Sequence, residues 1–118
     1  MDQPILIVED DAFIADALAE VLRDEGYMVL TAANGREALE CVAHHSPSMI
    51  FLDMKMPIMD GWAFAATYRA QPGMPAPLIV LTAAKDTVER AAEVQAQAFL
   101  AKPFVIEDVL NLVQRFLP

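Results

Sequence analysis

Short apolar runs alternate with longer, helically spaced stretches along the whole chain. Ile5-Leu6-Ile7-Val8 is continuously apolar, the pattern of a strand buried on both faces. Ile14, Ala17, Leu18, Val21 and Leu22 follow at helical spacing, and Gly26 stands where such a helix should stop. Met28 to Ala32 reads as a second strand. Asn34 and Glu37 have the spacing of a capping box, and Ala38, Leu39 and Val42 continue that helix until Ser46-Pro47 ends it. Met49-Ile50-Phe51-Leu52 is a third strand. A loop from Asp53 to Gly61 leads into a short helix over Trp62 to Arg69. After a Pro- and Gly-bearing connection comes a fourth strand, Leu78-Ile79-Val80-Leu81. Asp86 and Glu89 supply N-cap and N3 chemistry for a helix to about Val94. Ala98 to Ala101 is a weaker fifth strand. Ile106, Val109, Leu110, Val113, Phe116 and Leu117 form a last amphipathic helix.

Strands alternating with helices in this way predict an α/β domain with a parallel sheet and helices on both faces. The 118 residues suffice for one domain, 1–118, and no linker or repeat interrupts them. Hydrophobic residues make up 56% and charged residues 21%, a composition that builds a core. Eight Lys and Arg stand against 17 Asp and Glu, a formal net charge of −9. That balance argues against nucleic acid and anionic membrane as direct partners, because phosphates need clustered cations. The single cysteine, Cys41, excludes an internal disulfide and fits a reducing compartment. No apolar stretch approaches a membrane span, and Met1-Asp2-Gln3-Pro4 lacks a signal-peptide pattern. The expectation is a small, soluble, acidic, cytoplasmic domain.

In parallel sheets ligands bind beyond the C-terminal ends of the strands. Glu9, Asp10 and Asp11 follow the first strand, Asp53 the third, Thr82 the fourth, and Lys102-Pro103 the fifth. Strands three, one and four side by side would bring these groups to one pocket. Clustered carboxylates repel, so one takes up a proton or a cation binds between them. An all-oxygen site suits a hard divalent cation, with Mg²⁺ the natural candidate. Metal, ammonium and hydroxyl around one carboxylate are the parts that stabilise a transferring phosphoryl group, with Asp53 as its nucleophile.

Four motifs carry a resemblance: Ile5-Leu6-Ile7-Val8-Glu9-Asp10-Asp11, Asp53-Met54-Lys55-Met56-Pro57 with Ile58-Met59-Asp60-Gly61, Leu81-Thr82-Ala83, and Lys102-Pro103-Phe104. Each is weak alone; together, in order and at strand ends, the chain resembles the receiver domain of two-component response regulators. The resemblance implies a flavodoxin-like (CheY-like) doubly wound sheet of five parallel strands in the order 2-1-3-4-5, with five helices. It implies Asp53 as phosphoacceptor, with Asp10, Asp53 and the Lys55 backbone carbonyl on Mg²⁺, and Glu9 acting through metal-bound water. Thr82 and Lys102 would bind phosphoryl oxygens, and Thr82 and Phe99 would form the switch. The Lys102-Pro103 bond is expected to be cis. The implied phosphodonor is a histidine kinase or a histidine phosphotransfer protein. The implied output is a downstream protein or output domain on the face of helix four, strand five and helix five; a weak homodimer is also allowed. The domain would assist its own phosphorylation without being a turnover enzyme. Both a stand-alone receiver and one excised from a longer protein fit.

The sequence also departs from the family pattern. Phe99 lacks a tyrosine hydroxyl, Gln95 replaces the usual Gly after helix four, and Val105 leaves helix five without a polar cap. Lys55 is a variable position that tunes phosphoryl lifetime. Phe13 and Ile14 open the first helix beside Asp10, and one facing outward would be a docking point for the phosphodonor. Asp11 begins that helix. Singly, these residues also read as caps, turn residues and solvated charges. Cys41, His44, His45 and the methionines read as packing or helix-end residues, and Trp62 as packing near the site. Two other functions compete. A docking module that is never phosphorylated would not need every site residue. A haloacid-dehalogenase-type phosphatase would carry Asp where Lys55 stands.

Overall fold

The computed structural model describes residues 3–117; Met1 and Asp2 of the expected N-terminal pattern, and Pro118, lie outside the described residues. The chain runs β1 (Ile5–Val8), α1 (Ala12–Asp24), β2 (Val29–Ala32), α2 (Gly35–His44), β3 (Met49–Asp53), α3 (Gly61–Ala70), β4 (Leu78–Ala83), a 3₁₀ turn (Ala84–Asp86), α4 (Thr87–Glu93), β5 (Ala98–Lys102) and α5 (Ile106–Phe116). All pairings are parallel, as the alternating pattern predicts, and the strand order is β2-β1-β3-β4-β5, as the resemblance implies.

The runs in β1, β3 and the body of β4 are apolar without interruption because both faces of the sheet are covered. Ile5, Ile7, Phe51, Ile79, Leu81 and Leu100 pack under α1 and α5 with Leu18, Leu22, Val109 and Val113. Leu6, Val8, Ile50, Leu52, Leu78 and Val80 pack on the other face with Phe64, Tyr68 and Val94. Each fully buried side chain of this size contributes about 1.5–3 kcal/mol, so these two layers supply the main drive to fold. Among the described residues no helix is long and apolar enough to cross a membrane.

Helix ends follow their caps, with some departures from the sequence pattern. Asp11 is the N-cap of α1, accepting hydrogen bonds from the backbone N–H of Phe13 (3.0 Å) and Ile14 (3.3 Å). The buried stripe of α1 is Ala15, Leu18, Ala19 and Leu22. The expected Ala17 faces solvent, because the helix turns its stripe one position away. Gly26, at φ 92, closes α1 as its left-handed cap. Asn34 accepts from the Glu37 N–H at 3.0 Å, while the Glu37 carboxylate reaches back to Ala33 N–H rather than to Asn34. Asp86 does not cap α4. Its φ −110, ψ 0 departs from the extended cap conformation, so its carboxylate makes no cap hydrogen bond, and the chain enters through the 3₁₀ turn. Gln95 takes the left-handed position after α4 (φ 53) despite its Cβ, so this helix end keeps the form that a glycine would give.

The loop after β3 is fastened at both ends. Gly61 N–H donates to Met54 O and Gly35 N–H donates to Met59 O, both at 2.8 Å. A Cβ on Gly61 would stand 2.5 Å from the Asp53 carbonyl oxygen and 2.8 Å from Met54 Cα, both backbone atoms. Gly61→Ala is therefore expected to destabilise the fold by about 2–4 kcal/mol, read by urea unfolding. A loss below about 0.5 kcal/mol would mean that the loop moves away freely.

Candidate functional site

The sheet order places β3 between β1 and β4. Val8 pairs with Leu52, so Glu9 comes level with Asp53; Asp53 itself pairs with Leu81, one residue before Thr82. Lys102 ends β5 opposite Ala83. Because side chains alternate along a strand, Glu9 and Asp53 share the face of Ile7 and Phe51, and Lys102 that of Leu100. Thr82 lies on the opposite parity with Val80, and so does Phe99.

The result is a cluster of charges at the top of the sheet. Lys102 Nζ donates to Glu9 Oε1 at 2.8 Å and to Asp53 Oδ1 at 3.3 Å. Glu9, Asp10 and Asp53 each offer a carboxylate oxygen within 4.8 Å of the others; Glu9 and Asp53 are buried and Asp10 is exposed. The backbone N–H of Met54 donates to Asp53 Oδ1 at 2.9 Å, and that of Asp11 to Glu9 Oε2 at 3.2 Å. The Lys102-Pro103 peptide is cis.

Burial pushes the Asp53 carboxyl up to about 7, and the neighbouring Glu9 adds to the rise, while Lys102 opposes it. Burial would lower the Lys102 ammonium, but its hydrogen bond and charge contacts with Glu9 and Asp53 outweigh that and hold it above the usual lysine value. Two buried carboxylates thus share one ammonium, with a third carboxylate at the rim. The donor set is all oxygen, acidic and open on one side through Asp10, which fits a hard divalent cation.

Thr82 is buried beside this cluster, yet the Asp53 carboxylate bonds to Lys102 and Met54 N–H and not to Thr82. Phe99 lies on the edge strand and is 42% exposed, so its ring points outward. Lys55 is exposed in the loop two residues after Asp53. Phe13 is 86% exposed on the first turn of α1, whereas Ile14 packs inward against the α1/α5-side core. Trp62 packs against the core at the start of α3 and also bridges to α4 through Glu93. Cys41, His44 and His45 lie on α2 or at its end, away from the C-terminal ends of the strands, and burial raises the Cys41 thiol pKa.

Two participants escape sequence reasoning. The Met54 N–H holds Asp53 through its backbone, which no side-chain motif reveals. Ile58 sits at φ 70 with Met59 N–H donating to Pro57 O at 2.7 Å across it, a strained γ-turn for a β-branched residue, and its side chain is 77% exposed. Pro57 and the Asp60-Gly61 pair marked a loop there but not this turn.

A family model described as the response regulator receiver domain matches residues 5–114. The transcriptional regulatory protein PdtaR of Mycobacterium tuberculosis is 42% identical over 113 residues, covering 93% of this chain and 54% of that protein. The chain thus spans about half the length of this mycobacterial relative. Sporulation initiation phosphotransferase F of Bacillus subtilis is 36% identical over 120 residues, covering 100% of this chain and 96% of the relative. The chemotaxis response regulator CheY4 of Vibrio cholerae has a similar structure, with a TM-score of 0.88, 35% identity, and coverage of 99% and 100%.

The raised Asp53 value makes a pH prediction for the metal-free protein. The folded state holds this proton up to about pH 7, whereas a free aspartate releases it near 3.8. Stability from this group is therefore full below about pH 4 and falls as pH rises through 7. In EDTA, Asp53→Asn is expected to be more stable than the parent by about 1–2 kcal/mol at pH 8, a figure reduced from the full shift because the open mouth is screened by solvent. The gap should close toward pH 4. Equal thermal melts at pH 8 would show that Lys102 compensates the Asp53 charge completely.

Proposed function

The chain belongs to the response regulator receiver family, and on that premise we propose that Asp53 accepts a phosphoryl group from a phosphohistidine. The observation that carries the proposal is the Lys102 ammonium joining Glu9 and Asp53 within a three-carboxylate cluster. An Asp53 carboxylate oxygen attacks the phosphorus, the P–N bond to the imidazole breaks, and the bond electrons leave with the imidazole, which takes up a proton. Lys102 neutralises a phosphoryl oxygen, and the Thr82 hydroxyl donates to another once it is drawn in. Asp10, Asp53 and the Lys55 carbonyl would hold Mg²⁺, with Glu9 acting through water; bound there, the cation would offset the charge that gathers between Asp53 and the phosphoryl oxygens.

The outcome is a switch rather than a turnover enzyme. A charge added at Asp53 draws on Thr82 and Phe99, and a population shift changes the surface of α4, β5 and α5. A downstream protein or an attached output domain would read that face. The phosphodonor is a cytoplasmic histidine kinase or histidine phosphotransfer protein. Phe13, apolar and outward beside Asp10, offers its helix a contact. Water attack on the aspartyl phosphate resets the switch, with Lys55 at the loop able to shield it.

Intact mass after incubation with Mg²⁺ and a small phosphoramidate tests the chemistry. The parent should gain one phosphoryl group, and Asp53→Asn or removal of Mg²⁺ should abolish the gain. An unmodified parent would favour the docking-module alternative. Phe13→Ala should slow phosphotransfer from a protein donor about tenfold or more while leaving the phosphoramidate reaction unchanged; equal protein-donor rates would remove Phe13 from the interface.

A further inference from the structure

Helix α4 rests on the sheet through Thr87, Ala91 and Val94, but its two ends have little of their own to hold them. It is seven residues long, no side chain caps its N-terminus, and Gln95 closes it at φ 53. Side chains of α3 supply what is missing. Arg69 donates to the carbonyls of Val94 and of Gln95, the latter at 2.9 Å, and so satisfies acceptors that the helix end leaves open. Trp62 Nε1–H donates to Glu93 Oε1 at 3.1 Å. Arg90 pairs with the same carboxylate at 3.1 Å and lies over the Trp62 ring, 5.4 Å from its centroid. The connection from Thr82 to α4 is only Ala83 and the turn Ala84–Asp86.

We infer that Trp62 and Arg69 are positioning residues, forming with Arg90 and Glu93 a latch that holds α4, and through it Thr82, in the resting arrangement. The inference rests on the phosphoacceptor role proposed for Asp53. Here Thr82 makes no bond to Asp53 and Phe99 faces outward. Drawing Thr82 toward a phosphoryl group pulls on a connection too short to absorb the movement, so the α3–α4 contacts must stretch or part. Contacts made only at rest favour the resting population, and weakening them raises the fraction ready for phosphorylation. Each contact is polar and near the surface, so the effect per residue is several-fold, not all-or-none.

The test joins hydrogen exchange with the phosphoramidate reaction, using Trp62→Phe, Arg69→Ala and the conservative surface change Glu93→Gln. Exchange of amides 84–95 should rise about three- to tenfold in the first two and about twofold in the third, with β1, β3 and α5 unchanged. The Asp53 phosphorylation rate should rise by similar factors. Faster exchange at an unchanged rate would reduce the contacts to a structural role and overturn the inference, as would unchanged exchange. A folded parent that gains no phosphoryl group overturns the phosphoacceptor role itself; that result is distinct from a modified parent whose variants match it in rate.

Discussion

Two carboxylates buried side by side at the top of a parallel sheet are expensive, and the site is organised around that cost. Glu9 and Asp53 are level with each other because Val8 pairs with Leu52. They share a single ammonium, Lys102. Burial, reinforced by Glu9 alongside and only partly opposed by Lys102, makes Asp53 hold its proton far above the usual aspartate range. A site with that imbalance favours whatever brings positive charge to the open side. The same arrangement holds Asp53 against Lys102 at the open end of the sheet.

The surroundings of Asp53 are fixed by close backbone contacts on one side and by core packing and polar side-chain contacts on the other. On the β3 side, Gly61 approaches the Asp53 carbonyl closely enough to exclude any side chain, and Gly35 and Gly61 both bind the loop through backbone hydrogen bonds. On the β4 side, Thr82 leads through a 3₁₀ turn into a helix with no N-terminal side-chain cap, tied to α3 by a few long polar side chains.

Exposed apolar residues near the site are few and individually placed. Phe13 faces outward while its neighbour Ile14 is absorbed by the core, and Ile58 is exposed at the tip of a strained turn in the Asp53 loop. They stand out as apolar points on the surface of a chain with a net charge of −9.

The sequence by itself determined the elements and the candidate chemistry. Uninterrupted apolar runs can be satisfied only by strands covered on both faces, and residues that follow such strands must lie at one end of the sheet. Asp53, Thr82 and Lys102 were legible for that reason, and Asp11 and Asn34 were legible as caps because capping is local. Tertiary structure decided what depends on neighbours distant in sequence. It decided that Lys102 reaches both Glu9 and Asp53, that Phe13 and not Ile14 is outward, and that Ala17 leaves the buried stripe. It also set aside the expected Asp86 cap in favour of a 3₁₀ entry, and kept Gln95 in a glycine's conformation with Arg69 of another helix bound to its carbonyl. Spacing along the chain records which groups can share a face. Distance and charge balance between faces arise only when the strands pair.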